Sequence, residues 1–143
     1  MNNQTVFIEE NVLEQAREIC GFIWDVEVRN KAVANVLALK LSEKFFTSQD
    51  LDVDSGIHNV YKLLESWDIS DIYVNGAYID VRICFDENDL YVPKMHFDRD
   101  LLPIAYMFIK IDSDLSSADC LGFILPENVD KKLQYNDYIK VNE

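Results

Sequence analysis

The sequence predicts an α+β fold, with N-terminal helices packed on a mixed, mostly antiparallel sheet of about five strands. Two observations predict it. Apolar residues recur at roughly helical spacing through residues 1–67 and at every second position through much of 68–143. Asn75-Gly76, the strongest two-residue hairpin signal, separates two alternating runs in the second segment. The whole chain, 1–143, reads as a single domain that is helical in its first half and mainly β in its second.

The first helix is expected to carry Val12, Ala16, Ile19 and Ile23 on one stripe, with Leu13 and Cys20 beside it. Asn11 is its expected N-cap, and Gly21 weakens its last turns by about 1 kcal/mol relative to alanine. A second helix is expected from near Asp25 to Phe46, with Val33, Leu37, Leu41 and Phe45 as its stripe, flanked by Val36 and Ala34. Residues Thr47 to Gly56 hold Asp50, Asp52 and Asp54 without an apolar period and read as a solvated loop. Asp54 or Ser55 would cap a third helix bearing Val60, Leu63, Leu64 and Trp67.

The strands follow. Ile72 and Val74 alternate with Asp71 and Tyr73 before the turn, and Ala77, Ile79, Val81, Ile83 and Phe85 alternate with Tyr78, Asp80, Arg82 and Cys84 after it. Asp86-Glu87-Asn88-Asp89 is an acidic turn, and Leu90-Tyr91-Val92 a short extended piece closed by Pro93. Ala105 to Ile111 carries almost no polar residue before Lys110, as a central strand buried on both faces would. Asp112 to Ser117 is a polar loop, Asp119 to Leu125 a further strand, and Tyr138 to Val141 an edge strand. Gly122, inside its strand, marks a bulge or a close approach.

Composition narrows the function. The 143 residues are 49% apolar and carry 13 Lys+Arg against 26 Asp+Glu, a net charge of −13. That sign disfavours direct binding to nucleic acid or to an anionic membrane, because both partners are polyanions. It suits a protein partner, a basic one in particular. No apolar run approaches the ~20 residues that span a bilayer, and the first residues lack the pattern of a secretory signal. Cys20, Cys84 and Cys120 are odd in number, far apart and without a CxxC, as free thiols in a reducing cytoplasm would be.

The hairpin carries the sharpest chemical inference. A two-residue loop fixes the register, so Val74 should face Ala77, Tyr73 Tyr78, and Asp71 Asp80. The two aspartates would then share a face with Cβ atoms about 5 Å apart. At an effective dielectric of ~20 their repulsion is about 3 kcal/mol. Water, a cation, a shared proton or a metal must offset it. Arg82 lies one pleat beyond Asp80, so two readings compete. In one, Arg82 and solvent neutralise the pair at the sheet surface. In the other, Asp71 and Asp80 hold a divalent cation such as Mg²⁺, whose bound water could attack a phosphodiester.

The run Asp71-Ile72-Tyr73-Val74-Asn75-Gly76-Ala77-Tyr78-Ile79-Asp80-Val81-Arg82 resembles the core of PD-(D/E)xK nucleases. In that superfamily an aspartate on one strand and a D/E-x-K on the next hold metal and activate water, and a preceding helix often supplies a glutamate, the part Glu65 would take. Asp71 here follows Ser70 rather than proline. Arg82 replaces the lysine, and a guanidinium stays protonated, so it cannot be the base. Lys94 is the nearest substitute in sequence for that role. The resemblance therefore implies a degenerate, nuclease-like core rather than an active one.

A longer stretch, roughly 31–130, resembles a cyanobacterial family called domain of unknown function 1822. The matching pieces are Trp67, Asp80-Val81-Arg82, Tyr91-Val92-Pro93, Ala105 to Ile111, and Asp119 to Ile124 with its Leu121-Gly122-Phe123. This resemblance implies that the acid-x-Arg strand and the Leu-Gly-Phe strand share one sheet. It assigns no biochemistry.

Other motifs weigh less. Pro93-Lys94-Met95-His96 would place a base near the hairpin, although a lone histidine among polar neighbours reads as a surface or capped residue. Asp112-Ser113-Asp114 starts like a calcium loop but lacks its central glycine and terminal glutamate. There is no Gly-x-Ser-x-Gly elbow and no phosphate-binding glycine loop. The sequence thus favours a non-catalytic interaction or regulatory domain, with no cofactor. A metal-dependent nuclease using Asp71, Asp80 and Lys94 with Mg²⁺ is the first alternative. The second is an acidic inhibitor, immunity-like, presenting Asp50, Asp52 and Asp54 together with Asp86, Glu87 and Asp89 to a basic partner.

Overall fold

The structure, a computed structural model, describes residues 5–55, 70–100, 102–131, 134–135 and 138–141. The chain opens with a short strand, β1 (Thr5–Phe7), and a helix, α1 (Glu10–Ile19). Glu9, not Asn11, is the N-cap of α1, and no side chain caps it. Ala16, Cys20 and Ile23 are buried, and Val12, Leu13 and Ile19 pack against them, so the apolar stripe is the one the spacing predicts. Helical geometry stops at Ile19, just before Gly21.

The second helix, α2 (Val26–Thr47), starts where its cap predicts: the Asp25 side chain accepts from the Val28 amide at 3.0 Å. Its burial is broader than a stripe. Every residue from Ala32 to Leu39 is buried, because α2 lies between the sheet on one side and α1 on another. The buried Ser42 hydroxyl is satisfied by the Ala38 carbonyl at 2.7 Å. Phe45 is 40% exposed, and Phe46 occupies the core position expected of it.

Part of the expected acidic loop is ordered as a strand. β2 (Val53–Ser55) pairs antiparallel with β3 (Ser70–Val74). The third helix expected from Val60, Leu63, Leu64 and Trp67, with Glu65, lies outside the described residues. After β3 come β4 (Ala77–Cys84), β5 (Tyr91–Pro93), a one-turn helix α3 (Lys94–Asp98), β6 (Ala105–Ile111) and β7 (Ser117–Ile124). A 3₁₀ turn (Pro126–Asn128) leads to β8 (Gln134–Tyr135) and β9 (Tyr138–Lys140).

Six strands form one mixed sheet in the order β1-β7-β6-β4-β3-β2, and three form a small sheet, β5-β9-β8. The fold is α+β. The strand count exceeds the expected five because β1, β2 and β8 are too short to show a period in sequence. The small sheet also corrects one placement: β9 is its middle strand, not an edge. β6 is central and runs parallel to β4 and antiparallel to β7. The segment from Phe85 to Ile104 makes that parallel crossover and carries β5 and α3 with it.

The large sheet is covered on both faces. Ile72, Val74, Ile79, Val81, Met107, Ile109, Ile111 and Ala118 meet α1 and α2 on one side. Tyr106 and Phe108 point the other way, into a second core with Val92, Val129, Ile139 and Val141. Phe97 of α3 packs on this core, under the Lys131 ammonium at 5.1 Å from its ring centre. The crossover and the C-terminal segment thus lay a small layer over the face that carries Asp80 and Arg82.

Candidate functional site

The Asn75-Gly76 turn forms as its residues dictate. Both take positive φ, 50° and 82°, which asparagine and glycine tolerate and which a tight hairpin turn requires. The register is the expected one: Val74 opposite Ala77, Tyr73 opposite Tyr78, and Asp71 opposite Asp80. The Tyr73 and Tyr78 rings confirm it, with centroids 5.8 Å apart. The two aspartate positions are therefore neighbours across the ladder; for Asp71 the structure describes the backbone placement only.

The surroundings of Asp80 differ from the expected sheet surface. Asp80 has 0% exposure and Arg82 6%, because β5, α3 and β9 cover this face. A strand burying alternate polar residues under a second layer has no distinctive signature in its own sequence.

His96 was the residue the sequence underrated. It is 3% exposed, and its Nδ1 shares a 2.9 Å hydrogen bond with the Tyr106 hydroxyl and lies 3.5 Å from Asp80 Oδ2. The imidazole stacks on the Tyr106 ring, 5.9 Å between centroids and 10° between planes. The parallel ladder places Tyr106 directly beside Asp80. Burial, then the Asp80 charge, raise the Tyr106 phenol above its ordinary value, and Arg82 partly opposes them. The available signal was Pro93: it ends β5 and starts α3, which turns His96 inward three residues later.

Arg82 donates from Nε to the Tyr91 carbonyl at 3.3 Å, and its buried Nη1 has no hydrogen-bond partner among the described residues. Lys94 opens α3, half-buried, and forms no ion pair with Asp80. The structure thus brings Asp80, His96 and Tyr106 together and leaves Lys94 outside that contact. Among the described residues, no group of three or more His, Cys, Asp or Glu side chains is arranged to hold a metal ion.

The acidic clusters are far apart. Asp52 lies beside the hairpin tip, where its amide donates to Asn75 Oδ1 at 2.9 Å. Asp86 to Asp89 follow the opposite end of β4, eight residues and so about 25 Å away. No helix among the described residues is long and apolar enough to cross a membrane.

Comparison of the chain with protein-family models, with curated proteins and with solved structures finds no match. The resemblances noted above therefore rest on the residues quoted for them.

Proposed function

We propose that this chain is a non-catalytic interaction or regulatory domain built on a degenerate, nuclease-like α+β core. The observation that carries this reading is the complete burial of Asp80 against His96 and Tyr106. Mg²⁺ keeps several waters when it binds carboxylates, and a phosphodiester must reach the metal. A carboxylate sealed beneath β5 and α3 offers room for neither. Arg82 stands where the base would be and stays protonated. Lys94 is not engaged with Asp80, so the triad Asp71, Asp80 and Lys94 has no assembled lysine.

The interaction part of the proposal draws on the α1–α2 connection. Phe22 is 50% exposed, Trp24 95% and Val26 57%, three large apolar side chains within five positions. Surface apolar residues grouped in this way suit burial against a protein partner.

The deciding experiment is calorimetric titration with Mg²⁺ and Mn²⁺, paired with cleavage assays on supercoiled DNA and on RNA. The expected result is no saturable metal binding and no cleavage. Saturable binding that disappears in Asp80→Asn, or metal-dependent cleavage, would overturn the non-catalytic reading and restore the nuclease.

A further inference from the structure

The six-stranded sheet ends on one side at β1, and among the described residues no strand pairs with its outer edge. All three of its residues are exposed, Val6 by 44% and Phe7 by 79%. The ladder to β7 fixes which backbone groups face out. The Ile8 amide donates to the Ser116 carbonyl at 2.8 Å, and two residues back Val6 lies opposite Ala118, so Val6 directs its N–H and C=O at β7. Thr5 and Phe7 therefore aim theirs away from the sheet. Thr5-Val6-Phe7 is β-branched and aromatic and holds neither lysine nor proline, residues that blunt an open edge.

Beside this edge, on the helical face of the sheet, lie two recesses of about 590 Å³ and about 230 Å³. Val6, Leu41, Lys44 and Ser48 line both, and the smaller one reaches Phe45 and Met107. The charged residues that border them are Glu9 and Glu43 against Lys40 and Lys44. These charges sum to zero in a chain of net charge −13. Two copies of so acidic a chain repel where their average surfaces meet, and least where acids and bases balance. A basic partner would find no excess of carboxylates here, whereas a second copy finds both signs.

We infer that β1 is the contact between two copies of this chain, joined edge to edge as an antiparallel, two-fold pair. Thr5 of each copy sits opposite Phe7 of the other and exchanges both backbone hydrogen bonds with it. Val6 meets its own counterpart on the axis as a non-hydrogen-bonded pair, with Cα atoms about 4.5 Å apart. The axis stands perpendicular to the sheet, so both α2 helices fall on one face. The recesses of the two copies then close on each other around the paired Val6 side chains, and the balanced charges meet across the axis. Such a contact is isologous, so assembly stops at two. It goes beyond the non-catalytic reading, uses neither Asp80 nor the surface of Phe22, Trp24 and Val26, and stands or falls separately from that reading.

The test is sedimentation velocity of the full chain from about 1 μM to about 1 mM, the span in which small interfaces assemble. A monomer–dimer equilibrium that saturates at twice the monomer mass is expected. Val6→Asp sets like charges against each other on the axis and should weaken the dimer at least about tenfold. Val6 is exposed enough to become a carboxylate without unfolding the chain, and circular dichroism checks that it does. Should Val6→Asp fail to fold, two other variants decide the matter. Phe7→Pro removes an outward N–H from an edge strand and should weaken the dimer to a similar degree. Val6→Cys should give a disulfide-linked dimer on treatment with diamide, because the paired positions have disulfide spacing, whereas the more exposed Trp24→Cys should not. A monomer at every concentration, a dimer unchanged by Val6→Asp, growth beyond two copies, or no cross-link through Val6→Cys would each overturn the inference.

Discussion

Asp80 is a carboxylate without exposed surface, and such a group is tolerated only where its neighbours answer its charge. His96 is one such neighbour, with Nδ1 3.5 Å from Asp80 Oδ2, and Tyr106 fixes the imidazole by its 2.9 Å hydrogen bond. Truncating one member of a buried pair strands the other. His96→Ala should therefore destabilise the protein by about 3 kcal/mol in urea unfolding, whereas the exposed neighbour change Met95→Ala should cost less than about 0.5 kcal/mol. Equal, small losses in the two variants would mean that the Asp80–His96 contact contributes nothing. The sequence placed Asp71, Asp80 and Arg82 correctly along the hairpin because a turn fixes register locally. It could not tell whether that face was wet. Burial there depends on β5, α3 and β9, which reach it from ten to sixty residues away.

Among the elements, those whose signal is local were the legible ones. Asp25 caps α2, Asn75-Gly76 turns the hairpin, and Gly122 marks a bulge where the register slips between Phe108 and Ile109. β1 and β2 were missed because three residues carry no measurable alternation and their strand identity comes from β7 and β3. The hairpin also does more than reverse the chain. The Asn75 amide donates to the Asp52 carbonyl at 2.8 Å, and Asn75 Oδ1 accepts from the Asp52 amide, so the turn anchors the approach to β2. Asn75→Ala removes the second bond and forces alanine to a φ of 50°. A loss of about 2 kcal/mol is expected. At Gly76 an added Cβ meets nothing within 4 Å, so Gly76→Ala reads the backbone penalty alone, about 1 kcal/mol. Urea midpoints for the two variants check the order. A larger loss at Gly76 than at Asn75 would show that the Asp52 contact is not stabilising.

At the scale of the whole molecule, the six-stranded sheet separates two cores, and each side holds an acid that burial keeps protonated. Cys20 belongs to the helical core. Cys84 lies on the strand face of Asp80 and Arg82, near the second core with Tyr106. Burial raises both thiols from 9.0 to about 11; for Cys84 the nearby Lys110 ammonium opposes the shift, and Asp86, Asp89 and Glu87 add to it. In the unfolded chain these thiols release their protons as pH passes 9, while the folded chain keeps them. The unfolded state then binds fewer protons, so stability falls as pH rises. The contribution is intact below pH 9 and is lost by about pH 11. Each proton lost also adds negative charge to a chain already at −13, so self-repulsion acts in the same direction. Urea midpoints measured from pH 8 to 10.5 should decline through this window. The Cys20→Ala/Cys84→Ala variant starts lower, because two buried side chains are trimmed, but its decline should be shallower. Parallel declines in the two proteins would remove the thiols as the cause and leave the raised Tyr106 phenol, together with the lysines, to explain the loss.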